Sequence, residues 1–470
     1  MPTPAVLGNP LATLTESSRA RAKRKDADHV ASPAAEARVP AYRRIPWTPV
    51  AISLAVLLSA PFAVAPIRDA VTLGPVVEAR LHLSPGYLAI APLSDVLDTL
   101  TLLGVRQHIA LLVTVIVVYA LVRVWRHAPA FGSFEAPKRL PIHPLREAGY
   151  ATVLLLATAA IYAVGAVIPR PMAALALTPA DLYLSADFHA HTRFSHDGRP
   201  GWEPEDVRAW QRGGGVDVAY IADHRTVQGA ELAIANNPAQ AGQGTMLLQA
   251  IELGWRGEHV NVLNAERVYK GLTTPGLRDV DERSLALASL LIGREPIVIG
   301  TIPGRPEQLV PATGPSTAGI RAIELVDGAP RGLDQSRLGR ARLLKFADSL
   351  QLALVSGSDN HGWGRTVPAW TLMRLPGWRG MGGDSLSYAI DRTLRLGPGA
   401  TRVVERRVAG ELNAPSVLQL VLTVPLVAWR MLTTLSGDER VMWLVWAWGL
   451  YLLARLARRR RAGARRAPAP

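Results

Sequence analysis

The sequence predicts an α/β domain with a largely parallel sheet, flanked on both sides by membrane-spanning helices. Three observations carry that expectation. Between residues 172 and 405, short apolar runs alternate with helix-like stretches, the pattern of strand-then-helix units. Outside that stretch, five apolar runs approach the roughly 20 residues that cross a bilayer as a helix. Inside it, side chains of metal-ligating type gather where the expected strands end. In β/α barrels that face carries the active site.

In chain order, residues 1–44 are rich in Ala, Pro, Arg and Ser without apolar periodicity and read as a disordered basic tail. Residues 45–171 form an N-terminal membrane region with three expected spans. The first, 47–65, is nearly all apolar and stops at Ile67-Arg68-Asp69. Its Ala63-Val64-Ala65 resembles a signal-peptide cleavage site, but the basic stretch ahead is too long and Pro66 would follow the cut, so a retained span is preferred. The second, 109–125, contains one charge, Arg123, which can snorkel to the interface. The third, 148–168, has none and ends at Pro169-Arg170-Pro171. Between the first two, residues 87–103 suit an interfacial segment, because Asp95 and Asp98 oppose a further span.

Within 172–405 the expected strands are 182–188, 216–221, 246–252, 259–263, 297–302, 321–326 and 352–357, and the expected helices 203–212, 228–236, 281–293 and 334–350. Residues 406–457 then read as a transmembrane hairpin, with runs 414–435 and 441–457 joined by Ser436-Gly437-Asp438-Glu439-Arg440. Trp443, Trp446 and Trp448 in the last run are expected to face lipid or pack on a neighbouring helix. An Arg-rich tail, 458–470, closes the chain.

Composition supports this organisation. Hydrophobic residues make up 49% and charged residues only 19%, a balance that favours a membrane protein. The absence of cysteine excludes disulfides, thiolate zinc sites and a Cys nucleophile. The net charge of +14 gathers at the termini, where arginines directly after apolar runs mark membrane flanks; nucleic acid is therefore a disfavoured partner and membrane lipid an expected one. Five spans put the domain and the C-terminal tail on one side and the N-terminal tail on the other. The basic N-terminal tail and the 123–147 loop favour the cytoplasm, while the C-terminal arginines pull the opposite way. With the first helix dominant, the domain is expected on the extracytoplasmic side of a prokaryotic plasma membrane.

The most informative stretch is Asp187-Phe188-His189-Ala190-His191-Thr192, followed by Ser195-His196-Asp197-Gly198. Residues i and i+2 on a strand share a face, so His189 and His191 form a metal bite at a strand end. Six of the 11 histidines lie between 189 and 361, and further ligand types recur in Ala222-Asp223-His224, at Glu252 and His259, and in Gly357-Ser358-Asp359-Asn360-His361. His196 and Asp197 compete for one ligand position, and spacing from His191 favours Asp197. Asp187 fits a carboxylate that orients the metal-binding imidazoles or one with a purely structural role. Arg225 and Arg305, beside these motifs, are candidates to grip phosphate oxygens.

These motifs, in this order and spacing, make residues from about 180 to 400 resemble the PHP family, the polymerase and histidinol phosphatase domain of metal-dependent phosphoesterases. The resemblance implies a distorted (β/α)7 barrel with two or three divalent metal ions (Zn, Mn or Fe) at its mouth. It implies a first metal on His189, His191, Glu252 and Asp359, and a second bridged by Glu252 with His259 as ligand. A third would take Asp197, His224 and His361. The implied reaction is hydrolysis of a small-molecule or lipid-linked phosphoester, with monoesters favoured, by metal-activated water, with His361 or an ordered water assisting the leaving group. One departure stands out. The family places a His-Pro after the strand near residue 300, whereas this chain has Ile302-Pro303. The second metal therefore lacks a protein ligand, and an alternative reading is a catalytically impaired, ligand-binding or regulatory module on a membrane protein.

Overall fold

The computed structural model describes residues 45–127, 144–255, 257–264, 297–310, 320–407 and 416–464. The expected tail over 1–44 and the expected helix over 281–293 lie outside the described residues. The chain enters through α1 (Trp47–Ser59), β1 (Ile67–Asp69), β2 (Ala79–His82) and two short helices, α2 (Pro85–Ala89) and α3 (Ala91–Thr101). Two long helices follow, α4 (Val105–His127) and α5 (Pro144–Val167). The central domain continues through β3 (Ala174–Leu177), β4 (Tyr183–Ala190), α6 (Pro204–Gly213), β5 (Val218–Ile221), α7 (Gln228–Ala235), β6 (Met246–Trp255) and β7 (Glu258–Leu263). Then come β8 (Ile297–Thr301), β9 (Ile320–Val326), α8 (Pro330–Leu333), α9 (Arg337–Ser349), β10 (Ala353–Ser356), β11 (Ala369–Arg374), α10 (Gly383–Leu394) and β12 (Thr401–Arg406). The last helices are α11 (Ser416–Thr434) and α12 (Gly437–Ala464).

All seven expected strands form. Ten strands make one sheet in the order β1-β12-β11-β4-β5-β6-β7-β8-β9-β10, while β2 and β3 pair separately. The sheet is mixed, not largely parallel. The pairs β4–β5, β5–β6, β8–β9 and β9–β10 are parallel, but β7 is antiparallel to both neighbours and β1, β12 and β11 add antiparallel pairs. The reason is connection length. Only Arg256 and Gly257 separate β6 from β7, a link that allows a hairpin but no crossover. The sheet curls back on itself, because the Ser356 amide of β10 donates to Thr371 Oγ1 of β11 at 2.8 Å. Leu184, Ala186 and Phe188 of β4 enter one buried cluster with Tyr220, Leu248, Ile299 and Val355, and Phe188 stacks on Tyr220 at 5.2 Å.

The membrane expectation is reduced. Among the described residues, two helices are long and apolar enough to cross a membrane, Val105–Trp125 and Pro144–Val167. The first expected span falls short, since the 13-residue α1 gives way to a 3-10 turn, Ala60–Phe62, around Pro61. The C-terminal pair bends by 116° at its break and makes at most one further span. A capping box causes that break: the Ser436 amide donates to Glu439 Oε2 at 2.6 Å, and the Glu439 amide donates to Ser436 Oγ at 3.2 Å. Arg458 to Arg461, expected in a tail, continue α12 as helix. The three tryptophans pack on neighbours through their indole N–H groups, donating to Asp95 Oδ2, the Ala89 carbonyl and Ser53 Oγ at 2.7, 2.9 and 3.0 Å. Residues 87–103 form α2 and α3, with Asp95 and Asp98 buried and both accepting from the Tyr87 hydroxyl.

Candidate metal centre

The end of β4 is knitted to the loop after β10. The Asp359 amide donates to the His189 carbonyl at 2.7 Å, and the His191 amide to the Asn360 carbonyl at 3.1 Å. Asp187 holds both segments, accepting at Oδ1 from the backbone N–H of His189 and Ser358 and at Oδ2 from Gln211 Nε2. It thus supports the backbone, whereas the carboxylate on the His189 ring is Glu324, with Oε2 3.1 Å from Nδ1. Gly357 permits that contact, since a Cβ there would overlap Glu324 Oε1 and the His189 Cβ. The β4–β5 register shifts between Asp187 and Ala190, so the regular i, i+2 rule does not alone set the bite. The two rings still converge, with centroids 4.9 Å apart.

Glu252, on β6, is the hub. Its Oε2 lies 3.1 Å from His189 Nε2, 3.3 Å from His191 Nε2 and 3.3 Å from His224 Nδ1, and its Oε1 lies 2.6 Å from His259 Nδ1. Asp359 Oδ1 is 3.5 Å from His189 Nε2, 3.1 Å from His191 Nε2 and 3.4 Å from His361 Nδ1. Asp197 faces His361 Nε2 at 3.2 Å through Oδ1 and His224 Nε2 at 3.5 Å through Oδ2. All eight expected ligands therefore meet at one mouth. Their donor atoms come within 4.8 Å of one another as His189–His191–Asp359, His191–His224–His361 and His224–Glu252–His259. Asp197 forms such a group with His224 and the exposed His196. Asp223 caps the intervening loop, accepting from the Thr192 amide and hydroxyl at 2.6 Å each.

The side around residue 302 is different. Ile302 is buried and belongs to the apolar cluster that includes Val227, Leu253 and Leu309. Its φ of 39° lies in the left-handed region, which a β-branched residue rarely adopts. Arg225 and Arg305 are exposed on the loops after β5 and β8; the structure anchors their backbones, Arg225 N on the Glu252 carbonyl and Arg305 N on Glu258 Oε1.

The electrostatics describe a site built for positive charge. Burial opposes a proton on His189, yet the carboxylates of Asp359, Glu252 and Glu324 hold its pKa well above the usual imidazole value. Burial also opposes charge on His191, but Asp359 and Glu252 lift it to about 9. Burial pushes His224 down to about 4, helped by charge on His191. Burial lifts Glu324 to about 7 against the pull of His189. Glu252 and Asp359 resist the same burial and stay below the carboxylate range, because imidazoles surround them. Sequence reading missed Glu324 and its buried neighbour Asp327. Their signal was two acids closing an apolar strand, Ile323-Glu324-Leu325-Val326-Asp327, at the level where the other ligands sit.

No family model matches the chain, and no curated protein does. Solved structures similar to it include a two-domain protein from Bacteroides vulgatus that contains a predicted PHP-like metal-dependent phosphoesterase. It shares 16% identity over 49% of this chain and 68% of that one, with a TM-score of 0.32. The lesion-specific endonuclease Q of Pyrococcus furiosus shares 12% over 55% of this chain and 72% of that one, with a TM-score of 0.35. An amidohydrolase of Chromobacterium violaceum shares 16% over 43% and 96%, with a TM-score of 0.26.

Proposed function

We propose that the chain is a membrane-anchored, metal-dependent hydrolase of phosphate esters, with monoesters as the favoured class. One observation carries this reading: eight imidazole and carboxylate side chains converge around Glu252 at a single barrel mouth. The donor set fits divalent metal. Among the described residues His191 Nδ1 is buried without a hydrogen-bond partner, while Nε2 of His191 and of His361 face only carboxylate oxygens. Imidazole with carboxylate, and no thiolate, suits Zn, Mn or Fe. His189, His191, Glu252 and Asp359 would hold one ion, Glu252 and His259 a second, and Asp197, His224 and His361 a third. Bound there, the ions would supply an activated water and a clamp on phosphoryl oxygens. The motif-level resemblance to PHP phosphoesterases, stated from sequence, supports the ester class. The apolar helices α4 and α5 support anchoring.

The residues fix their own proton inventory. Glu324 accepts from His189 Nδ1, which leaves Nε2 to face Glu252 and Asp359 as a lone pair once its proton departs. The Asp359 carbonyl accepts from His361 Nδ1 at 3.0 Å, so Nε2 of that ring also carries the lone pair. In the metal-loaded site His361 is therefore suited to ligation or to receiving a proton at Nε2. Depression of the His224 and His361 pKa values by burial keeps both rings neutral at pH 7.

The test is turnover by the purified full chain, with Mn or Zn, against phosphomonoesters, phosphodiesters and a lesion-bearing DNA duplex, with metal content measured in parallel. Hydrolysis of monoesters above the other classes is the expected result. Fully metal-loaded protein that turns over none of them would sink the hydrolase reading. Ile302 favours a second reading, a barrel that binds a phosphate ligand without hydrolysing it; phosphate binding by loaded but inert protein is the outcome that selects it.

A further inference from the structure

The ligand cluster opens into a cavity of ≈ 610 Å³, a volume typical of small-molecule sites. Asp197, Asp359 and His361 line one part of it. Leu103, Val105, Tyr162 and Ala166 line another, where α4 begins and α5 ends. The same cavity therefore touches the metal-type ligands and both helices that are long and apolar enough to cross a membrane. The junction is bonded. The Gly364 amide, in the loop that carries His361, donates to the Ala166 carbonyl at 2.9 Å. Thr101 Oγ1 donates to Thr366 Oγ1, and Thr366 Oγ1 to Asp98 Oδ1, each at 2.9 Å. At the rim, Trp363 is half exposed with the Arg199 guanidinium 5.8 Å from its ring centre. An aromatic ring and an arginine together suit the headgroup level of a bilayer.

We infer that the substrate is an amphiphilic phosphoester drawn from the bilayer, its phosphate at the Asp197–Asp359–His361 side and its alkyl tail along the barrel-side ends of α4 and α5. This rests on the hydrolase reading and names its substrate class. A small polar ester offers nothing to Leu103, Val105 and Ala166. Each methylene of a tail that leaves water there improves binding roughly fourfold. Further out, α4 and α5 remain apolar and exposed at Ile109, Ile116, Val153 and Leu156.

The experiment uses the full chain reconstituted in phosphatidylcholine nanodiscs with Mn, and n-alkyl phosphates from ethyl to decyl. The expected result is a kcat/KM that climbs roughly fourfold per methylene over the first carbons. Partition into the lipid alone would give a slope too, so Ala166→Trp, which narrows the helix end of the cavity, is run beside the wild type. The decyl-to-ethyl ratio within that variant is expected to collapse at least tenfold. A second arm dilutes long-chain phosphatidic acid with phosphatidylcholine at fixed bulk concentration. A rate that follows surface mole fraction supports uptake from the bilayer, and one that follows bulk concentration overturns it. Turnover of ethyl phosphate with no chain-length slope, or a slope that Ala166→Trp leaves intact, overturns the tail site while the hydrolase reading stands. No turnover at any length removes the hydrolase reading and this inference with it.

Discussion

On the β4–β10 side of the barrel mouth, His189 and His191 are buried and Asp359 is partly buried; they are cross-bonded through backbone and backed by Glu324 and Asp187. On the β7–β8 side, His259 is half exposed on a hairpin and Ile302 fills a strained position with hydrocarbon. Both sides meet at Glu252. On the proposed reading, the difference separates two kinds of metal position. One is pre-organised by Glu324, which fixes the tautomer and rotation of the His189 ring. The other depends on one exposed imidazole and a shared carboxylate, so an ion there is expected to bind more weakly and exchange faster.

Four measurements break or sharpen that contrast. Asp359→Asn removes a proposed carboxylate ligand from the organised side. It is expected to cost several kcal/mol of transition-state stabilisation, roughly a 10³-fold loss of kcat/KM; a loss below tenfold would show that the first position is not where catalysis is organised. Glu324→Gln keeps the shape but weakens the grip on His189 Nδ1. Metal affinity by calorimetry is expected to fall roughly 10- to 100-fold, and an unchanged affinity would reduce Glu324 to packing. Ile302→His adds an imidazole to the poorer side. One more tightly held ion per chain by elemental analysis is expected, with higher turnover; unchanged stoichiometry would place residue 302 outside the site.

The smallest effect is a pH dependence of the metal-free protein. His191 is raised to about 9 when folded, against an ordinary value of about 6.5. Its protonation therefore stabilises the fold fully below about pH 6.5, and that contribution is lost as pH rises through about 9. Chelator-treated protein is expected to show a Tm that declines across this window. Metal-loaded protein is expected to hold its Tm there, since the ion replaces the proton. Parallel curves for the two forms would refute the exchange of protons for metal.

Much of the site was legible because its residues are chemically conspicuous. His189, His191, His224 and His361 fall at or just beyond strand ends, and period-two reasoning places strand ends well. Glu324 was harder, since an acid inside Ile-Glu-Leu-Val reads as a solvent-facing strand position until curvature brings it beneath His189. Ile302 was visible as a substitution, but its left-handed backbone was not. The antiparallel turn of β7 was implicit in the two-residue link after β6, where local alternation suggested a parallel sheet instead. The C-terminal strands β11 and β12 were missed, because they sit among Gly, Pro and Arg that weaken their apolar pattern. The five expected spans followed from hydropathy alone, which does not register Pro61 or the Ser436–Glu439 capping box.

If the chain is the membrane-anchored hydrolase proposed above, the bond between the Gly364 amide and the Ala166 carbonyl gives the bilayer a handle on the chemistry. The loop that positions His361 hangs from the last turn of α5. On the proposed placement α5 adjusts to a thinner or thicker bilayer by tilting. Tilt at that end displaces the Ala166 carbonyl that holds Gly364, which lies two residues along the loop from Gly362 and three from His361. Hydrolysis rate is therefore expected to vary with the acyl length of the surrounding lipid at constant substrate, peaking where α5 is unstrained. Catalysis in this molecule would then report bilayer thickness.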